Sequence, residues 1–103
     1  MTAPVPLVRY GLVAGAQGAG MLWPAGADGA AGNARSAPVS VDVAVAALRR
    51  AGARFVLAEL PGDTDHAGLA GALREHAFGE SGRIPDLVDD GVDLHLFRLE
   101  LDP

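Results

Sequence analysis

The chain contains no cysteine among its 103 residues, so disulfides, thiol nucleophiles and thiolate metal sites are excluded. Lysine is also absent, and all eight positive charges are arginines. With a net charge of −5, the chain has no surplus of positive charge, so we expect neither nucleic acid nor an anionic membrane as a partner. Aromatic residues are also few, and a core shared between two copies of the chain would relieve that shortage.

Long apolar stretches are absent as well. No run is long enough to span a bilayer, and the first residues do not follow the pattern of a signal peptide, so we expect a cytoplasmic protein. The length favours one domain over residues 1–103. Pro4 and Pro6 interrupt regular pairing, which predicts disorder over residues 1–6.

The first half of the chain predicts a hairpin, a loop and a helix. The apolar run 7–13 and the short run 20–23 read as two strands joined by a turn at 15–18, with Pro24 as a stop. Residues 25–38 are small and rich in glycine, which predicts a flexible loop. A helix follows, with Ser40 or Ser36 as its cap, an apolar stripe at helical spacing and Gly52 as its end. The members of that stripe are Val41, Ala44, Val45 and Leu48.

The second half predicts a strand, a helix and a strand pair. Residues 54–60 read as a buried strand, and the apolar spacing from Leu69 to Ala77 predicts a helix over 65–77 that ends with Gly79 in a left-handed conformation. A strand starts near Arg83, and an acidic turn at 89–91 leads into a last strand, 92–101. The alternation of that strand changes parity near Leu96 and Phe97, which favours either a bulge or burial on both faces.

These elements follow the order ββαβαββ. Connections of this kind predict an α+β fold in which two helices cover one face of a mixed, mainly antiparallel sheet.

The stretch 73–101 contains a helix end from Leu73 to Phe78, then Glu80 to Arg83, then the Asp90–Gly91 turn and a last aliphatic strand. In the order and spacing of these features it resembles the C-terminal end of the GNAT family of N-acetyltransferases. The resemblance implies a shortened GNAT domain or a C-terminal half of one. The N-terminal strand and helices of the family would then come from a partner chain or from the other copy in a homodimer.

The resemblance also implies acetyl-CoA or CoA as the ligand. In this family a glycine-rich loop before a helix holds the pyrophosphate through its N–H groups. Here that position is occupied by Gly29, Gly32, Asn33 and Arg35. A plain surface loop is the alternative interpretation.

The central strand of the family contacts the pantetheine arm, a role that falls to Met21, Leu22 and Trp23 in this chain. A structural role for Trp23, as the largest anchor of a small core, is the alternative. The family tyrosine that serves as the acid is replaced by Leu73, which also fits a core leucine. His66 stands where the family has an asparagine.

Glu59 and His66 are the candidate catalytic residues. Glu59 interrupts an apolar strand, where a carboxylate is costly unless it is paired, exposed or functional, and it could deprotonate a small amine substrate. The alternative interpretation is that Glu59 is exposed to solvent beside Pro61 and has no catalytic role. No histidine pair has the spacing of metal ligands, so no metal is expected.

Three hypotheses for function remain open. The first is an acetyl-CoA-dependent N-acyltransferase of unknown acceptor. The second is a catalytically inactive GNAT-like module that binds a protein or a small ligand, working as a dimer. The third is a small α+β assembly domain whose resemblance to the family is fortuitous.

Overall fold

The computed structural model describes residues 6–13, 18–25 and 37–101. In these ranges, strands and helices follow one another as β1 (Leu7–Leu12), β2 (Ala19–Pro24), β3 (Val39–Ser40), α1 (Val41–Arg50), β4 (Phe55–Pro61), α2 (Ala67–Glu75), β5 (Gly79–Asp89) and β6 (Val92–Glu100). A 3₁₀ turn, Thr64–His66, leads into α2. The predicted order holds, with the two-residue β3 as an addition. The predictions of disorder over 1–6 and of a flexible loop over 25–38 lie almost wholly outside the described residues.

The described strands form one six-stranded sheet in the order β3-β1-β2-β4-β6-β5. The pair β2–β4 is parallel, and the other four neighbouring pairs are antiparallel. The predicted mixed, mainly antiparallel sheet is therefore confirmed, and the strands 54–60 and 92–101 are direct neighbours in it.

Both helices lie on the same face of this sheet, as predicted. Every second residue of β4 is buried, namely Val56, Ala58 and Leu60, and these pack in a single cluster with Leu48 of α1 and Leu73 of α2. We call this side the helix face. The other residues of β4 point to the opposite side, which we call the far face, because successive side chains of a strand alternate between faces.

Helix α1 begins and ends where the sequence predicts. The Ser40 hydroxyl accepts a hydrogen bond from the Val43 N–H at 3.4 Å, which satisfies one of the unpaired donors of the first turn. Gly52 has a φ of +94°, a left-handed value that glycine adopts without strain. The buried residues of the helix are Val41, Ala44 and Leu48.

Helix α2 ends differently from the prediction. The left-handed residue is Ala77, with a φ of 71°, and not Gly79. The N–H of Phe78 donates to the Leu73 carbonyl at 2.9 Å, and the N–H of Ala77 donates to Arg74 at 3.1 Å, which is the Schellman pattern. Phe78 is 3% exposed, so its burial against the core fixes the exit of the helix and outweighs the strain of a left-handed alanine.

Strand β5 starts at Gly79, four residues before the predicted start at Arg83. Glu80 lies opposite Phe97 and Gly82 lies opposite Leu96, so Ser81 is an extra residue on β5. Strand β6 itself pairs with β4 in unbroken register, so the change of parity near Leu96 and Phe97 reflects apolar residues on both faces and not a bulge in β6. Leu94 and Leu96 lie on the far face, whereas Phe97 and Leu99 lie on the helix face.

None of the helices in the described parts of the chain has the length and hydropathy of a membrane span.

Candidate functional site

The parallel strands β2 and β4 pair over only part of their length. Their register runs from Ala19 opposite Phe55 to Leu22 opposite Ala58. Both strands continue beyond this point, β2 to Pro24 and β4 to Pro61. A gap therefore opens at the carboxyl ends of two neighbouring parallel strands, which is where open sheets with helical crossovers place their ligands.

Pro24 explains why the pairing stops. The Ala25 N–H donates to the Leu7 carbonyl of β1 at 3.1 Å, whereas the Gly18 carbonyl accepts from the Phe55 N–H of β4 at 3.2 Å. Backbone groups alternate in direction along a strand, so the even-numbered residues of β2 face β4. Pro24 is the next residue in that series, and proline has no N–H to donate.

On β4 the corresponding acceptor is the carbonyl of Glu59. The Phe55 N–H faces β2, whereas the Gly62 N–H donates to the Asp93 carbonyl of β6 at 2.9 Å, so the odd-numbered residues of β4 direct their backbone groups towards β2. The Glu59 carbonyl thus faces the position of Pro24, where β2 supplies no donor. A ligand with an amide N–H can supply one.

The gap and the helix beside it form what we call the β2–β4 cleft. It is closed in this structure and leaves no room for a water molecule. The residues that line it come from β1, β2, β4 and α2, and they are Val8, Leu22, Trp23, Pro24, Ala58, Glu59, Leu60, Leu69 and Leu73. Drug-sized ligands occupy cavities of about 300–1,000 Å³, so a long ligand requires the cleft to widen.

Four of the residues chosen from the sequence meet in this cleft: Leu22, Trp23, Glu59 and Leu73. Leu22 and Leu73 are each 1% exposed and belong to the core as well, so the core interpretation of Leu73 is also correct. Met21 lies on the far face opposite Leu57 and is not part of the lining. Gly29, Gly32, Asn33 and Arg35 lie outside the described residues.

Glu59 is the one ionisable side chain in the cleft lining. It is half-buried on the far face, opposite Leu96 of β6. Within the described residues its carboxylate has no hydrogen bond or ion pair. A carboxylate in such surroundings attracts a cationic group, because partial burial weakens its hydration.

His66 is the N-cap of α2 and is not among the residues that line the cleft. It precedes Leu69 by three residues and Leu73 by seven, so the three share one side of the helix. Its Nδ1 lies 2.6 Å from Asp63 Oδ1, and the same oxygen accepts the His66 backbone N–H at 3.0 Å. This side-chain hydrogen bond holds the pKa of the Asp63 carboxyl below its ordinary value.

The other histidines lie away from the cleft lining. The ring of His95 packs over Gly62, since a Cβ atom on that glycine would lie 2.4 Å from His95 Nε2. His95 Nδ1 is 3.5 Å from Glu80 Oε1, and His76 is exposed at the end of α2. Among the described residues, no three His, Asp or Glu side chains are grouped closely enough to hold a metal ion.

A larger concavity, of about 320 Å³, lies at the other end of β4. The Arg98 guanidinium stacks on the Phe55 ring there at 4.3 Å, and its Nε pairs with Glu100 at 2.6 Å. Size alone does not make this the better site, because β4 is paired on both sides there. The β2–β4 cleft combines interrupted pairing with an unpaired carboxylate.

Two features of the site are not among the candidate residues chosen from the sequence. Pro24 ends β2 as predicted, and its effect on the pairing depends on which neighbour its missing N–H would face. Asp63 is the other. The spacing Asp63-x-x-His66 was the available signal, since residues three apart meet at the start of a helix.

Searches against protein-family models and against curated proteins give no match. Among solved structures, the chain is similar to a proposed acetyltransferase of the GNAT family from Desulfovibrio desulfuricans, with a TM-score of 0.69 and 22% sequence identity. The match covers 90% of this chain and 58% of that one, so the chain spans less than two thirds of the length of that structure. The chain therefore has a GNAT-like α+β fold.

Proposed function

We propose that this chain is an acetyl-CoA-dependent N-acyltransferase that acts on a small amine. The observation that carries the proposal is the separation of β2 from β4 at Pro24, inside a GNAT-like fold. The proposal retains the cytoplasmic location expected from the sequence.

The lining of the cleft suits the pantetheine arm of CoA. Leu22 and Leu73 offer apolar surface to its methylene and dimethyl groups from the helix face, and Trp23 borders the cleft on the far face. The Glu59 carbonyl offers an acceptor to an amide N–H. Bound there, the thioester would supply an activated acyl group. The pyrophosphate contacts expected from Gly29, Gly32, Asn33 and Arg35 stay a prediction, as does a contact from Met21.

The ionisable groups of the chain suit an amine as the second substrate. The Glu59 carboxylate attracts and orients an ammonium group, because it is half-buried and has no partner among the described residues. Glu59 and His66 are the two groups near the cleft that can take up the proton which the amine must lose before it attacks.

Trp23 provides a direct test, because it is the single tryptophan of the chain and it lines the cleft. We expect acetyl-CoA and CoA to change Trp23 fluorescence with a micromolar Kd, about −8 kcal/mol, and calorimetry to give the same Kd. The nucleotide 3′,5′-ADP is the control, because it carries the adenine and phosphates of CoA without the pantetheine arm. An equal response to the control would contradict pantetheine binding in the cleft.

A substitution of Glu59 tests the acyltransferase chemistry. In Glu59→Gln, we expect kcat/KM for acetyl transfer to a panel of primary amines to fall on the order of 100-fold, with the Kd for CoA unchanged. Glu100→Gln is the matched control, because Glu100 also lies on the far face but is well exposed at the other end of the sheet. Equal rates in the two variants would exclude a role for Glu59.

A catalytically inactive GNAT-like binding module is the second candidate function. It is favoured by the closed cleft, which leaves no room for a water molecule, and by Leu73 at the position where the resemblance expects an acidic tyrosine. The absence of heat or fluorescence change at millimolar acetyl-CoA would decide for this alternative.

We also propose that a second copy of the chain packs on the far face over β5 and β6 and leaves Glu59 of β4 uncovered. Ile84 of β5 lies there and is 42% exposed, and Leu94 and Leu96 of β6 are half-buried. An apolar patch of this kind typically marks an interface. Sedimentation should show a dimer that Ile84→Asp dissociates, whereas Val43→Asp, on the exposed side of α1, leaves it intact. If a different protein occupies this face instead of a second copy, the chain alone should sediment as a stable monomer.

A further inference from the structure

Asp63 and His66 form a hydrogen-bonded pair whose proton position can be deduced. The distance from His66 Nδ1 to Asp63 Oδ1 is 2.6 Å, and an ionised carboxylate can only accept a hydrogen bond. The proton therefore lies on Nδ1, and the neutral ring keeps its lone pair on Nε2. The backbone N–H of His66 bonds to the same carboxylate oxygen at 3.0 Å, so main chain and ring are fixed together.

The pair lies at the beginning of α2, the helix that lines one side of the cleft. His66 shares a helix side with Leu69 and Leu73, both of which line the β2–β4 cleft. The side chain of His66 is 27% exposed and that of Asp63 is 33% exposed, so the pair is partly shielded and still open to a ligand. Along α2 itself, Arg74 and Glu75 in the last turn are the ionisable residues, so proton transfer on this side of the cleft falls to His66.

We propose that Asp63 is a positioning residue that presents His66 Nε2 as the proton acceptor for the amine substrate, an inference that rests on the acyltransferase function proposed above. An N–H bond of the ammonium group breaks, and an Nε2–H bond forms. The positive charge passes from the amine to the ring, where the Asp63 carboxylate stabilises the imidazolium. The ring then releases this proton to water, which restores the neutral tautomer. Glu59 points to the far face, away from α2, so it attracts the amine on that side of the sheet and does not take the proton.

The ¹⁵N shifts of the histidine rings test the tautomer in the ligand-free protein. The chain has three histidines. The variants His76→Gln and His95→Gln each remove one set of ring signals, so the remaining set is assigned to His66. At a pH where the ring is neutral, we expect a protonated Nδ1 and an unprotonated Nε2. The Asp63→Ala variant should lose this preference. Asp65→Ala should keep it, because that neighbouring carboxylate makes no bond to the ring.

Kinetic measurements test the role of the pair. We expect His66→Gln to lower kcat for acetyl transfer on the order of 100-fold. Asp63→Asn should lower kcat by about tenfold with KM for the amine unchanged, because an amide oxygen still accepts Nδ1–H but no longer stabilises the imidazolium. Asp65→Asn is the control and should match the unsubstituted chain. A structural role for Asp63 alone would change thermal stability without this selective loss of kcat.

The outcomes separate this inference from the proposed function. If acetyl transfer is observed but neutral His66 carries its proton on Nε2, or Asp63→Asn leaves kcat unchanged, the inference is overturned and the acyltransferase stands. If Trp23 fluorescence and calorimetry show no CoA binding, the proposed function fails and the proton-acceptor role fails with it. A protonated Nδ1 together with the selective fall of kcat supports both.

Discussion

The two halves of β4 have the same alternation of side chains but different neighbours. From Phe55 to Ala58 the strand pairs with β2 on one side and with β6 on the other, whereas from Glu59 to Pro61 the register with β6 alone continues. The paired half contributes Val56 and Ala58 to the core and the half-paired end contributes Leu60, but the half-paired end also carries the Glu59 carboxylate and leads to the Asp63–His66 pair. Under the proposed function, the chemistry is therefore confined to the half-paired end, which begins beside one proline on β2.

The largest effect is expected in the paired half. Phe97 is fully buried opposite Ala58, so Phe97→Ala should lower the free energy of unfolding by about 3–5 kcal/mol in urea denaturation. Leu87→Ala is the control, because Leu87 is 56% exposed and its loss should change stability by less than about 0.5 kcal/mol. Similar midpoints for the two variants would contradict a core centred on the paired half.

A smaller effect is expected just beyond the half-paired end. Gly62→Ala places a Cβ atom within 2.4 Å of His95 Nε2, so the ring must move, at a cost of about 1–3 kcal/mol. Thermal denaturation of Gly62→Ala, His95→Ala and the double variant forms a cycle. We expect the second substitution to remove most of the penalty. Purely additive effects would show that the ring is not held by this glycine.

Pro24→Ala tests directly whether Pro24 ends the pairing of β2 with β4. The new N–H can donate to the Glu59 carbonyl and extend the pairing of β2 with β4, which adds about 0.5–1.5 kcal/mol of stability. The more flexible unfolded chain offsets part of this gain. Hydrogen exchange should show a protected amide at position 24, and the Kd for CoA should rise. An unprotected amide would mean that the strands separate for another reason.

The smallest effect is expected in the stability at low pH, where Asp63 becomes protonated. The pKa of Asp63 in the folded chain is lowered by its hydrogen bond to His66, so ionised Asp63 stabilises the fold above its unfolded pKa of about 3.9. This contribution is lost as the pH falls through the lower, folded-state pKa. The stability difference between the unsubstituted chain and Asp63→Asn should therefore be constant near neutral pH and should shrink below about pH 4. A difference independent of pH would contradict the ionised pair.

Local chemistry made much of the fold predictable. The cap at Ser40, the glycine at 52 and the turn before Val92 each act over a few residues, so the sequence shows them directly. The early start of β5 was missed because Gly79 to Gly82 are mostly exposed and one of them is an extra residue, which removes the alternation that indicates a strand. The left-handed Ala77 was missed because the burial of Phe78 decides it.

Some residues that line the candidate cleft could be chosen from the sequence, but the reason that they meet could not. Trp23, Glu59 and Leu73 were chosen for separate reasons, and the structure places them around one cleft. Their meeting depends on the parallel pairing of β2 with β4, two strands separated by a helix, and no local signal gives that pairing. The effect of Pro24 on strand pairing could not be predicted either, because it depends on which strand its nitrogen faces.

The bulge at Ser81 has a consequence for self-association. Strand β5 is an edge strand of eleven residues, and an uninterrupted edge of that length is a template on which other chains can add strands and aggregate. Ser81 breaks the row of donors and acceptors near one end, and Pro85 with the left-handed Asp86 breaks it near the middle. Growth of the sheet from copy to copy is thereby discouraged at this edge.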